Sequence, residues 1–169
     1  MIVTADFGRF DDPTHYASTG NGGSLNLAYN LFEGSKLGFS TFHGSIQGTQ
    51  RTLTGPYAII GLTQHLVLLS EFYFQWQSTP GALEQKGPTS YNRLQYEFVK
   101  GVHGYVEAQF QRLDLTAEET EIDAYSLGFN FYPRPHIELL GNVGKMRIAS
   151  PDGQTPYADI VWGQVHYYF

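Results

Sequence analysis

The sequence lacks cysteine, is poor in charged residues and contains no long hydrophobic run. The absence of cysteine excludes disulfide bridges and cysteine-ligated metal sites. Charged residues make up 15% of the chain, whereas soluble domains carry about 25%. No stretch approaches the about 18 apolar residues that a membrane-spanning helix requires. The chain therefore has neither the cross-links of a small secreted domain nor the span of a helical membrane protein.

Glycine and aromatic residues are abundant instead, with 19 Gly, 12 Tyr and 12 Phe among 169 residues. Many rings and little charge are typical of transmembrane β-barrels, which carry aromatic girdles at both membrane interfaces. The mean hydropathy of -0.27 fits such a barrel, because half of every strand faces a polar lumen. The net charge of -6 argues against nucleic acid as a partner.

A period of two runs through the chain and is clearest at its end. Val161, Gly163, Val165, Tyr167 and Phe169 alternate with polar or mixed positions. This period indicates an extended strand, because successive side chains of a strand point to opposite faces. The same pattern is strong over residues 66–77, where apolar and polar residues again alternate.

Turn-forming segments divide the alternating stretches into about ten predicted strands. Short turns are predicted at residues 33–35, 63–65, 101 and 133–135. Longer loops are predicted at residues 10–23, 48–56, 78–90, 114–121 and 149–156. Long loops at one end and short turns at the other are typical of outer-membrane barrels. We therefore predict an all-β fold, an antiparallel up-and-down transmembrane β-barrel forming one domain over residues 1–169.

The alternation also predicts which residues share a face. The apolar positions are predicted to face lipid: Leu68, Phe72, Phe74, Trp76, Tyr96, Phe98, Phe110, Leu127, Phe129, Phe131, Val165, Tyr167 and Phe169. The intervening polar positions are predicted to line the lumen: Asp6, Asn26, Glu71, Arg93, Glu97, Glu107, Asn130, Glu138, Asn142, Gln164 and His166. Acidic residues outnumber Arg93 in this set. In a narrow barrel these side chains would form a hydrogen-bonded, partly ion-paired plug, and in a wider one they would form a cation-favouring lining.

A soluble β-barrel or β-sandwich is the main structural alternative, because soluble strands also alternate. Lysine, which is favoured on solvated strand faces and edges, is nearly absent from the polar positions. The apolar positions are large and mostly aromatic. Both features favour the membrane barrel, in which the sheet must close because lipid satisfies no backbone hydrogen bond.

Two stretches resemble the porin superfamily of Gram-negative bacteria. Residues 128–145, G-F-N-F-Y-P-R-P-H-I-E-L-L-G-N-V-G-K, resemble the penultimate hairpin of many porins. Residues 6–13, D-F-G-R-F-D-D-P, resemble a strand-to-loop passage in porins of the phosphate-selective type. The terminal Phe169 resembles the C-terminal aromatic that the barrel-assembly machinery reads in this family.

The resemblance implies residence in the bacterial outer membrane, contact with outer-membrane lipid and passive diffusion of small solutes or ions. Such porins have about 16 to 18 strands. No signal peptide precedes the first predicted strand. We therefore expect either a processed chain or the C-terminal part of a longer porin.

The sequence is also compatible with two functions other than that of a porin. One is a non-conducting barrel that anchors a complex of partner envelope proteins. The other is a barrel lipid hydrolase using His43 and Ser45, since a His beside a Ser, with a carboxylate, activates a hydroxyl for acyl transfer. We expect no catalysis, because no carboxylate is assigned to this H-G-S motif. We also expect no cofactor and no metal site, and the six His residues are scattered without ligand spacing.

Overall fold

In a computed structural model, the chain is described over residues 2–11, 19–115, 121–149 and 156–168, with backbone only for residues 6–11 and 19. The predicted loop residues 12–18, 116–120 and 150–155 and the predicted lipid-facing Phe169 lie outside the described residues. The described residues form ten strands. These are β1 Ile2–Asp11, β2 Thr19–Phe32, β3 Ser35–Ile46, β4 Thr49–Gly61, β5 Leu66–Ser78, β6 Gln85–Val99, β7 Val102–Arg112, β8 Glu121–Arg134, β9 Ile137–Ile148 and β10 Ala158–Tyr167.

The strands form one sheet in the order β1 to β10, and each strand pairs antiparallel with the next. The predicted all-β, up-and-down arrangement is therefore confirmed. The sheet is not closed: β1 and β10 are its two edges. Within the described ranges no helix reaches the length and hydropathy needed to cross a membrane.

The connection between β3 and β4 differs from the prediction. A tight turn of Gln47 and Gly48, with φ values of 50° and 82°, replaces the predicted loop over residues 48–56. Two successive positive φ values match the twist of a hairpin, and Gly48 adopts its value without strain. Pro56 lies inside β4, paired with Phe39 of β3, whereas the ladder to β5 is interrupted there. A strand accepts proline where one ladder already lacks a bond.

The predicted loop over residues 78–90 is also shorter in the structure, because β6 begins at Gln85. Gly87 and Pro88, read as turn formers, lie within β6 and pair with Gln75 and Phe74. A side chain at Gly87 would collide with the backbone carbonyl of Arg112 on the neighbouring strand. This glycine therefore permits close approach of two strands rather than a turn. Likewise β2 already begins at Thr19, inside the predicted loop over residues 10–23.

Burial in this sheet is the reverse of that in a soluble protein, where apolar side chains fill the interior. Over the described part of the chain, Ala28 and Tyr105 are the only buried hydrophobic residues. The buried polar or charged residues are Ser35, Gln75, Asp123, Asn130, Glu138 and Asn142. In a single sheet, side chains are buried only where they cover one another. Most of the residues buried in this way carry polar side chains.

Candidate functional site on the polar face of the sheet

The register of the ladders defines two faces, because residues directly paired across strands point to the same side. One row across six strands is entirely aliphatic. It consists of Leu68, Leu94, Val106, Leu127, Val143 and Val161. The adjacent row on the opposite side contains Arg93, Glu107 and Ser126. We call these two sides the apolar face and the polar face.

The structure places the described residues of each predicted set on one face. Those predicted to face lipid lie on the apolar face, where Leu127 is 59% exposed and Val165 is 70% exposed. Those predicted to line the lumen lie on the polar face. For Asp6 this rests on its backbone pairing with Ser24 alone. The side chains of the first predicted set thus share one face, and those of the second share the other. Charged pairs also occur on the apolar face toward the end of the sheet, where Arg147 is paired with Asp123.

Glu107 is the centre of a hydrogen-bonded cluster on the polar face, which we call the central network. Its side chain is 10% exposed, and its Oε1 lies 2.9 Å from Nε of Arg93. The hydroxyl of Tyr91 donates to the same carboxylate. Ser126 Oγ donates to Oε2 at 3.0 Å, and Asn142 Nδ2 donates to it at 3.4 Å. Four strands, β6 to β9, are therefore joined through one carboxylate.

Tyr105 completes the central network by lying across a glycine. Its ring covers Gly128 on β8, where a Cβ atom would collide with the ring. The hydroxyl thereby reaches β9 and accepts a hydrogen bond from Asn142 at 3.5 Å. The guanidinium carbon of Arg93 lies 3.6 Å from the ring centroid, within the range of a cation–π contact. Glycine at position 128 therefore allows Tyr105 of β7 to reach β9 across the intervening strand β8.

The same arrangement occurs near the other edge of the sheet. The ring of Tyr57 on β4 covers Gly38 on β3, and its hydroxyl donates to Asn26 on β2 at 3.0 Å. Strands two apart are separated by about 10 Å, so a long side chain lying flat over a glycine is needed to join them. Two Tyr–Gly–Asn units therefore hold the polar face together.

A second cluster surrounds Glu138 where the short turns meet. Tyr132 donates to its Oε1 at 2.6 Å, and Tyr168 donates to its Oε2 at 2.8 Å. Nδ1 of His166 lies 2.9 Å from the same Oε2. Tyr168 follows the last residue of β10, and its hydrogen bond to Glu138, together with partial desolvation, raises the pKa of its hydroxyl. The cluster ties the edge strand β10 to β8 and β9.

Glu97 forms a related cluster at the same end of the sheet. Its carboxylate lies 3.5 Å from Nδ1 of His65 and 4.0 Å from Nε2 of His103. It also accepts a hydrogen bond from the backbone N–H of Gly101 at 3.2 Å. The ring of His103 packs edge-on against Tyr132, which belongs to the Glu138 cluster. No group of three His, Cys, Asp or Glu side chains suited to a metal ion occurs among the described residues.

His43 and Ser45, the candidates for acyl transfer, lie on the apolar face. On β4 they are paired with Thr52 and Gln50. They lie on the same face of β3 as Phe39. Nδ1 of His43 lies 2.8 Å from the hydroxyl of Thr52, so the partner of the ring is a hydroxyl rather than a carboxylate. The carboxylates of the polar face are on the opposite side of the sheet from this pair.

Several site residues were not singled out by sequence reasoning. Tyr91, Tyr105 and Ser126 lie on the predicted polar strand faces, but hydrogen bonding across strands is not encoded in a period of two. Lys36 and Arg51 also lie on the polar face, and Arg51 belongs to a segment that the sequence predicts to be a loop.

No protein-family model, curated protein or solved structure significantly matches the chain.

Proposed function

We propose that the chain forms a β-barrel of the bacterial outer membrane, or the C-terminal part of a longer one, through which small solutes and ions diffuse passively. The observation that supports this most is the inverted burial, with polar side chains covered and apolar ones exposed. An apolar surface this extensive is unusual on a soluble monomer, whose largest patch covers about 300–600 Å². Lipid would cover the apolar face without any second layer of protein.

Closure of the barrel follows from the same proposal. The free edges β1 and β10 present unpaired backbone groups, and each such group costs several kcal/mol in hydrocarbon. Pairing of β1 with β10, or with further strands of a longer chain, would satisfy them. The position of β10 at one edge also suits the proposed contact of the C-terminal strand with the assembly machinery.

The charges of the polar face indicate which ions such a lumen would favour. Its described carboxylates are Glu71, Glu97, Glu107 and Glu138, against Lys36, Arg51 and Arg93. Arg93 is paired with Glu107, whereas no ion pair engages Glu71 within the described ranges. The excess of carboxylates over basic side chains on this face supports a modest preference for cations.

Glu71→Lys is expected to lower the preference for K⁺ over Cl⁻ or to reverse it, because it turns a lumen carboxylate into a cation. Single-channel recording of the full chain in planar bilayers under a KCl gradient measures the reversal potential. Asp159→Lys is the matched control, since it makes the same charge change on β10 at a position of the apolar face. Equal shifts for the two variants would contradict a lumen position for Glu71.

A non-conducting scaffold is the second candidate, and the central network supports it. Side chains of four strands already cover part of the polar face, and a small barrel has an interior that side chains can fill. Steady ohmic steps in the recording favour the pore. Silence, from protein that has inserted, favours an anchor for partner envelope proteins.

A further inference from the structure

A cavity of about 290 Å³ opens on the polar face beside the β3–β4 turn. Phe42 and Ile46 of β3 form its apolar wall, while Thr49, Arg51 and Gln77 supply polar groups. It lies at the end of the sheet opposite to the Glu138 and Glu97 clusters. Small-molecule sites are typically concave, largely apolar and fitted with a few polar groups. The cavity has this composition, and its size suits a small ligand.

Arg51 is the charged group of the cavity, and its charge is not neutralised by the described part of the chain. Its one hydrogen bond there is donated by Nη2 to Oε1 of Gln75 at 3.0 Å. By contrast, Arg93 on the same face is paired with Glu107. Most of the donors of the Arg51 guanidinium are therefore free for another acceptor.

Gln75 holds the guanidinium in place. Its side chain is 1% exposed, and its Oε1 also accepts a hydrogen bond from Nε2 of Gln111 at 3.3 Å. Gln75 lies on β5 and Gln111 on β7, so this hydrogen bond spans the intervening strand β6. A buried amide bonded from two sides is a fixed support, and a preorganised guanidinium binds an anion at lower entropic cost.

We propose that this cavity binds a small organic acid, with its carboxylate on Arg51 and its aromatic or aliphatic body against Phe42 and Ile46. A guanidinium matches a carboxylate through two parallel N–H···O bonds. The apolar wall gives little to a fully hydrated inorganic anion, whereas it removes a ring or alkyl group from water. As a step in solute passage the site rests on the proposed function, but binding itself does not require a conducting pore.

The test uses 4-fluorobenzoate and its neutral counterpart 4-fluorobenzamide, titrated by fluorine NMR into the full chain in detergent. The acid is expected to bind saturably and at least about tenfold more tightly than the amide, because charge-assisted hydrogen bonds are roughly twice as strong as neutral ones. Arg51→Gln is expected to remove this difference. Arg112→Gln is the matched control, an arginine at the same end of the sheet that is paired with Glu121, and should leave the affinity unchanged.

Absence of saturable binding to the unaltered chain, or equal affinity for acid and amide, would overturn the proposal. Neither result depends on a variant folding correctly. Binding with a silent channel would retain the site and reject the pore, whereas conductance without binding would do the opposite. The two proposals therefore fail separately.

Discussion

Leu127→Arg is expected to prevent stable insertion of the chain into lipid bilayers, while Gln109→Arg is expected to be tolerated. Leu127 lies in the interior of β8 on the apolar face and is 59% exposed. A cation on the lipid face of a barrel costs about 2–4 kcal/mol near the bilayer midplane. Gln109 lies on the polar face of the neighbouring strand β7, so its replacement leaves the cation on the face that would line the proposed lumen.

Folding into liposomes, followed by gel mobility with and without heating and by urea titration, measures this difference. A soluble protein would give another result, since substitutions at exposed positions usually change stability by only about 0.5 kcal/mol. Equal folding yields and equal urea midpoints for Leu127→Arg and Gln109→Arg would therefore contradict lipid contact at the apolar face.

Glu107→Leu is expected to destabilise the fold by about 3 kcal/mol, because removal of one partner of a buried ion pair leaves the other charge uncompensated. Arg93 retains 23% exposure, which places the estimate at the lower end of the range of about 3–5 kcal/mol for such losses. In the same variant the hydroxyl of Ser126 loses its acceptor, and Nδ2 of Asn142 loses one of its three acceptors.

Urea unfolding of the inserted protein measures this loss, with Glu71→Leu as the control. Glu71 is a carboxylate of the same face outside the central network, so its replacement should cost much less. The double variant Arg93→Met/Glu107→Leu should recover part of the stability, since no buried charge then lacks a partner. If Glu107→Leu and Glu71→Leu are equally stable, the central network does not hold the strands together.

The strand pattern was predictable because a period of two dominates most strands, most clearly in residues 71–77 and in the C-terminal strand. The errors arose where glycine or proline serves a purpose other than a turn. Pro56 lies where a ladder is interrupted, and Gly87 admits a neighbouring backbone. A single sequence does not distinguish these uses, because they depend on the strand that comes to lie alongside.

The composition of each face was likewise accessible from the period of two, but the contacts within it were not. Glu107 and Asn142 are joined across an intervening strand, and their meeting depends on the register of two ladders. That no described carboxylate pairs with Arg51 depends on which residues its strand lies beside. Such facts follow from tertiary pairing, so alternation predicts the lining of a lumen without predicting its network or its binding cavity.

Spin labels at successive positions of β8 in lipid bilayers test the central claim most directly. The native chain has no cysteine, so each introduced cysteine carries the only label. Labels at positions 125, 127 and 129 are predicted to collide mainly with oxygen dissolved in the hydrocarbon. Labels at positions 124 and 126 are predicted to collide mainly with a water-soluble nickel reagent. The reverse order, or odd positions shielded from both reagents, would contradict an apolar face turned toward lipid.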